Sequence, residues 1–177
     1  FFPEGGQLVE GITSQVAFKA ESKNEGNIQL SGTLYTKEGQ EITSFETLHD
    51  GMGAFEYTPS ALPAIAKVNF QGKQYEFTLP KALPSGYILK VGNNAGAISV
   101  TVSCNAATPQ DTLAVFISHQ GRPHAYQLIH CQANKPQQFT VLSRKLPAGV
   151  LQISLLNRAG NTLCDRFIFA PPRAPLQ

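Results

Sequence analysis

The chain has 177 residues, 42% of them hydrophobic and 15% charged, with a formal net charge of +2. That is enough apolar material for one large domain or two of about 90 residues. The charge is too small for a nucleic-acid footprint, which would also need a Lys/Arg cluster, and no apolar run approaches the roughly 20 residues of a membrane helix.

The sequence opens on Phe1-Phe2-Pro3 with no initiator Met and reads as the start of an excised or mature piece, so its original targeting signal is not visible. A short strand is predicted at Gln7 to Val9. Apolar residues then alternate with polar ones, which puts every second side chain on one sheet face. Val16, Phe18 and Ala20 alternate with Ala17, Lys19 and Glu21, and Ile28, Leu30, Gly32 and Leu34 alternate with Gln29, Ser31, Thr33 and Tyr35. Further strands are predicted at Ile42 to Leu48, Ala54 to Thr58, Ala66 to Phe70 and Lys73 to Leu79. Turns fall at Asn24 to Asn27, Lys37 to Gln40, Asp50 to Gly53 and Gln71 to Lys73, where Gly supplies the punctuation. Leu79-Pro80-Lys81-Ala82-Leu83-Pro84-Ser85-Gly86 reads as a short, semi-stiff connector, because its prolines fix φ and extend their predecessors.

After the connector, strands are predicted at Tyr87 to Val91, Ala97 to Cys104, Leu113 to His119, Ala125 to Cys131, Gln138 to Leu142, Val150 to Leu156 and Thr162 to Phe169. No segment of ten or more residues carries a helical period.

The chain also resembles itself. Lys37-Glu38-Gly39-Gln40 answers to His119-Gln120-Gly121-Arg122, and Ala61-Leu62-Pro63-Ala64 answers to Lys145-Leu146-Pro147-Ala148. A strand-like run and a Gly turn, Gly72 or Gly160, follow each Leu-Pro. A fixed internal offset means a repeated folding unit. The expected fold is all-β: two tandem antiparallel sandwiches of seven strands, at residues 1–82 and 83–177.

Little in the sequence suggests chemistry. Cys104 shares parity with Ile98, Val100 and Val102 and reads as a buried small hydrophobe. If a disulfide forms among Cys104, Cys131 and Cys164, Cys164 is the expected participant, because it sits off the Phe167/Phe169 face. No CxxC spacing marks a metal or catalytic thiol. His119 and His124 flank a turn and could share a metal across the hairpin, but an exposed polar tip is the simpler reading. His130 and Cys131 are adjacent, so they point to opposite faces. His49-Asp50 precedes Gly51-Met52-Gly53, which reads as a tight turn and not as a base with its orienter. Phe1 and Phe2 are expected to plug one end of the first sandwich. No phosphate loop, paired-carboxylate motif or metal-ligand cluster appears, so no catalytic residue, cofactor or metal is expected.

Phe1-Phe2-Pro3-Glu4-Gly5-Gly6, Val16-Ala17-Phe18-Lys19-Ala20, Leu30-Ser31-Gly32 and His49-Asp50-Gly51-Met52-Gly53, followed by Phe55 and Thr58-Pro59, resemble macroglobulin-like domains. The likeness is to the tandem domains of long exported proteins of Gram-negative bacteria. It covers residues 1–80 well and residues 85–177 more weakly. It implies seven-stranded sandwiches related in shape to immunoglobulin modules, used as spacers and docking surfaces, and a place in the periplasm or at the outer membrane and cell surface. The thioester motif Cys-Gly-Glu-Gln of protease-trapping macroglobulins is absent here, and the lack of Trp rules out a Cys…Trp…Cys immunoglobulin domain.

The expected function is therefore a non-catalytic spacer or docking segment of a larger exported envelope protein. Its partner would be another protein or neighbouring domains of the same parent chain. The loops holding Asp50 and Met52, and Gln120 and Arg122, are the candidate contacts. The alternative is a carbohydrate-binding or nutrient-uptake-associated module, for which Tyr35, Tyr87 and Tyr126 are the candidate stacking residues.

Overall fold

The computed structural model describes residues 1–94 and 96–172. The chain divides into two compact units, Phe1–Pro84 and Ser85–Gln177. The last five residues of the second expected module, 173–177, lie outside the described residues. Both units are immunoglobulin-like antiparallel sandwiches, and among the described residues the only helical pieces are two three-residue 3-10 turns.

The first unit runs β1 (Phe2–Pro3), β2 (Ser14–Lys19), β3 (Glu21–Ser22), β4 (Gly26–Asn27), β5 (Ser31–Tyr35), β6 (Glu41–Glu46), β7 (Met52–Tyr57), β8 (Ile65–Phe70) and β9 (Lys73–Thr78). One sheet has the order β1-β2-β7, the other β6-β5-β8-β9, and β3-β4 is a small hairpin of its own. Period-2 alternation does its expected work. Val16 and Phe18 from β2 and Phe55 and Tyr57 from β7 face Leu34, Phe45, Ala66 and Val68 from the other sheet, and all are buried. The rings of Phe1, Phe18, Phe45 and Phe55 meet at centroid separations of 5.0 to 6.3 Å, which adds ring-edge attraction to burial. Phe1 plugs this core as expected, whereas Phe2 points outward and is 65% exposed.

Three further expectations need correction in this unit. Gln7–Val9 is not a strand: Gly5 and Gly6, at φ 79° and 87°, turn the chain, and only Val9 makes an isolated parallel bridge, to Leu83. The strand expected from Ile28 begins at Ser31, because Ile28 N bonds Ala20 O and Leu30 is taken up by Thr47 through both backbone and hydroxyl. The connector is not free of the first unit. Leu79 and Ala82 are buried in its core, and Leu83 N donates to Leu8 O at 2.8 Å. Those apolar side chains outweigh the prolines in deciding where the segment lies.

The second unit runs β10 (Tyr87–Asn94), β11 (Ala97–Cys104), β12 (Asp111–His119), β13 (Arg122–Cys131), β14 (Gln137–Leu142), β15 (Gly149–Leu156) and β16 (Thr162–Ala170). Its sheets are β10-β11-β14 and β13-β12-β15-β16. All seven strands cover the predicted segments, with β10 continuing to Asn94 and β13 beginning at Arg122. Ile98, Val100, Val102 and Cys104 from β11 pack on Leu113, Val115 and Ile117 from β12 and Leu151, Ile153 and Leu155 from β15.

With the β3-β4 hairpin set aside, the two topologies are the same: first-second-fifth strand in one sheet, fourth-third-sixth-seventh in the other. The features that repeat in sequence occupy equivalent places. Lys37–Gln40 and His119–Arg122 join the third and fourth strands, and the Leu-Pro pairs precede the sixth. In an immunoglobulin constant domain the fourth strand pairs with the fifth; here it has moved to the other sheet.

Candidate functional site

Turns present the residues singled out from the sequence. His49 and Met52 exchange backbone hydrogen bonds across Asp50-Gly51, whose φ values are 47° and 72°, as a two-residue hairpin turn of matching twist requires. Gln120 and Gly121 repeat this at φ 50° and 76°. Asp50, Met52, Gln120 and Arg122 are all exposed. Asp50 is taken up by His49, Nε2 to Oδ2 at 3.1 Å, with both side chains mostly in solvent, so the pair contributes little. The His119 and His124 rings lie 6.2 Å apart. Among the described residues, no group of three or more His, Cys, Asp or Glu comes together, and no helix is long and apolar enough to cross a membrane.

All three cysteines are buried. The expectation that Cys164 would be the bonding partner is corrected by the geometry. Its Sγ donates to Tyr87 O at 3.1 Å, while Cys104 and Cys131 face each other with sulfurs 2.8 Å apart. Burial pushes the Cys131 thiol up to about 12, helped by Cys104 beside it, and pushes Cys164 up to about 11.

The informative surface is one that the sequence reading passed over. In β13-β12-β15-β16 the residues facing away from the core include Tyr126 and Leu128 on β13, Phe116 on β12, Val150 on β15, and Phe167 and Phe169 on β16. Tyr126 is 70% exposed, Phe167 64% and Phe169 59%. Phe116 and Tyr126 are cross-strand partners, with stacked rings 5.9 Å apart. A signal was available: Phe167-Ile168-Phe169-Ala170 is apolar without alternation, so both faces of β16 are apolar, the mark of a strand meant to be covered on both sides.

The same face of the first unit is polar. Its β6-β5-β8-β9 sheet turns outward Ser31, Thr33, Tyr35, Ser44, Glu46, Lys67, Asn69 and Gln74, which border a shallow groove. Lys67 pairs with Glu76 at 3.0 Å and lies 5.5 Å over the Tyr35 ring. Topology alone therefore does not require aromatic side chains there. Of the three tyrosines considered for sugar stacking, Tyr126 is exposed, but Tyr35 is half-buried beneath Lys67 and Tyr87 is half-buried. They do not form an exposed pair.

An apolar groove of about 530 Å³ opens in the first unit, lined by Phe1, Phe18, Ile28, Leu30, Tyr75 and Phe77 among others. Its cause is structural. β1 is two residues long where its counterpart β10 has eight, so the inward-facing Tyr75 and Phe77 of the edge strand β9 remain exposed.

No family model matches the chain, and no curated protein matches it. Among solved structures it is similar to a DUF3823 family protein from Bacteroides ovatus, at 9% identity over 87% of this chain and 96% of that one, TM-score 0.32. It is also similar to the BSP domain of a biofilm associated protein, at 12% identity over 96% of this chain and 29% of that one, TM-score 0.37. Domains 3 and 4 of rat CD4 match at 12% identity over 92% and 97%, TM-score 0.32. None of these likenesses assigns a family or an activity.

Proposed function

We propose that the chain is a non-catalytic pair of sandwich modules from a larger exported envelope protein, and that it docks a protein partner on the outer face of β13-β12-β15-β16. The observation that carries this reading is the contrast between equivalent faces, aromatic in the second unit and polar in the first. Exposed apolar side chains grouped on one face of a soluble protein mark interaction sites, and aromatic side chains are enriched at the anchors of interfaces. Here Phe116 and Tyr126 on one side and Phe167 and Phe169 on the other flank polar Ser154, Gln152 and Asp165. Export and the macroglobulin-like affinity rest on the motifs of residues 1–59 and belong to the proposal. The turns at Asp50 and Met52 and at Gln120 and Arg122 are secondary contacts in it.

The test is site-specific photo-crosslinking of the full parent protein in the cells that produce it. A photoreactive phenylalanine at position 167 or 126 is expected to capture one common protein, while the same group at Lys67 on the polar face captures none. Equal capture from both faces, or no capture from position 167, overturns the reading. Phe167→Ser should change stability by no more than about 0.5 kcal/mol, as surface substitutions usually do, and Tyr126→Ser by up to about 1 kcal/mol through loss of its cross-strand stack on Phe116.

A further inference from the structure

Cys104 ends β11 in the three-stranded sheet, and Cys131 ends β13 at the edge of the four-stranded sheet. Their sulfurs are 2.8 Å apart in the interior, Cys104 being 2% exposed and Cys131 fully buried. That is tighter than neighbouring thiols need, and less than 1 Å longer than the roughly 2.05 Å of a disulfide bond. The surrounding backbone already holds both ends. Asn134 N donates to Cys104 O at 3.0 Å, and Cys131 is registered opposite Asp111 on β12. Cys164 is committed elsewhere, its thiol donating to Tyr87 O.

We infer that Cys104 and Cys131 are a cross-linking site, closed as a disulfide that staples the two sheets of the second unit. The oxidant is a small-molecule or protein disulfide. One thiolate attacks a sulfur of that disulfide and expels the first leaving thiolate. The second cysteine then displaces the other half. In balance, two protein S–H bonds and one oxidant S–S bond break, while one protein S–S bond and two oxidant S–H bonds form. Two electrons pass from the protein to the oxidant. Burial and the raised pKa of Cys131 keep that thiol out of the reactive thiolate form once folded, so the bond closes while the chain folds. The staple anchors β13, most of whose side chains are in solvent. The inference stands independently of the docking proposal, because its readout is thiol chemistry.

The test refolds the full chain from denaturant in a mixture of reduced and oxidised glutathione, with alkylation and intact mass measured in denaturant. The expected result is one alkylatable thiol and a mass lower by two hydrogen atoms, with chymotryptic mapping that joins Cys104 to Cys131. Three alkylatable thiols, or any link through Cys164, overturns the inference. Closing a loop of 27-residue separation should shift the unfolding equilibrium roughly a hundred- to a thousand-fold. That raises the Tm of the oxidised protein over the reduced one by on the order of 10–20 °C. Cys164→Ala should keep this shift, and Cys131→Ala should abolish it. Should Cys131→Ala fail to fold, the mapping of the unsubstituted chain decides alone.

Discussion

The side-chain amide of Asn93 donates to the backbone carbonyl of Phe169 at 2.7 Å, tying β10, the first strand of the second unit, to β16, its last. Cys164 makes a second tie between the same strands through Tyr87 O. These two contacts close the sandwich along that side, where the first unit, with its two-residue β1, stays open beside Tyr75 and Phe77.

Removing the amide loosens this seam. Asn93→Ala is expected to destabilise the second unit by about 1 kcal/mol, the usual net worth of one hydrogen bond. Urea unfolding measures the loss, and amide exchange should quicken along β16 and not along β12. Unchanged exchange in β16 would remove the seam from the account.

Gly32 sits where the first core closes. A Cβ there would meet Phe45 Cζ and Val68 Cγ1, both at 2.6 Å, and Lys67 O at 2.8 Å. Backbone cannot yield as a flexible side chain does, so Gly32→Ala should cost roughly 1–3 kcal/mol by overpacking. A urea midpoint equal to that of the unsubstituted chain would show that the sheets separate at this point.

Each buried cluster belongs wholly to one unit, which makes independent folding of two modules the expected behaviour. Ile153 is fully buried in the second cluster, and Ile153→Ala should cost roughly 2–5 kcal/mol there through lost burial and a cavity. Hydrogen exchange by mass spectrometry should speed up across β11, β12 and β15 while β2, β5 and β8 keep their rates. Equal acceleration in both units would mean a single cooperative body.

The buried thiols make the reduced protein sensitive to alkali. The folded state holds the Cys131 proton up to about 12 and the Cys164 proton up to about 11, whereas a thiol in the unfolded chain releases it near pH 8.5. A raised pKa favours the protonated fold. Its contribution is complete below the unfolded value and drains away as pH rises through the folded one. Reduced protein should lose stability more steeply between about pH 9 and 11 than Cys131→Ala does, as read by urea midpoints. Parallel slopes would dissociate Cys131 from the effect.

Alternation was enough to place most strands, because a half-buried strand must alternate and its turns must supply positive φ. Ala97–Cys104 has the bounds that alternation predicts, and Gly72 and Gly121 turn the chain where Gly implies. Alternation failed at Ile28 to Leu30, where Ala20 and Thr47 claim the backbone, and the short strand expected at Gln7 to Val9 gives way to a single bridge to the connector at Leu83.

What the residues determined alone was local: strand faces, turn positions and a duplicated order of elements, all written in neighbours along the chain. Which elements meet was decided only in three dimensions. Cys104 and Cys131 are 27 residues apart, and nothing in their spacing separates them from Cys164 until β11 and β13 are set in facing sheets. The aromatic face likewise joins Tyr126 to Phe167 across two intervening strands. Pairing register, not sequence distance, brings such residues onto one surface.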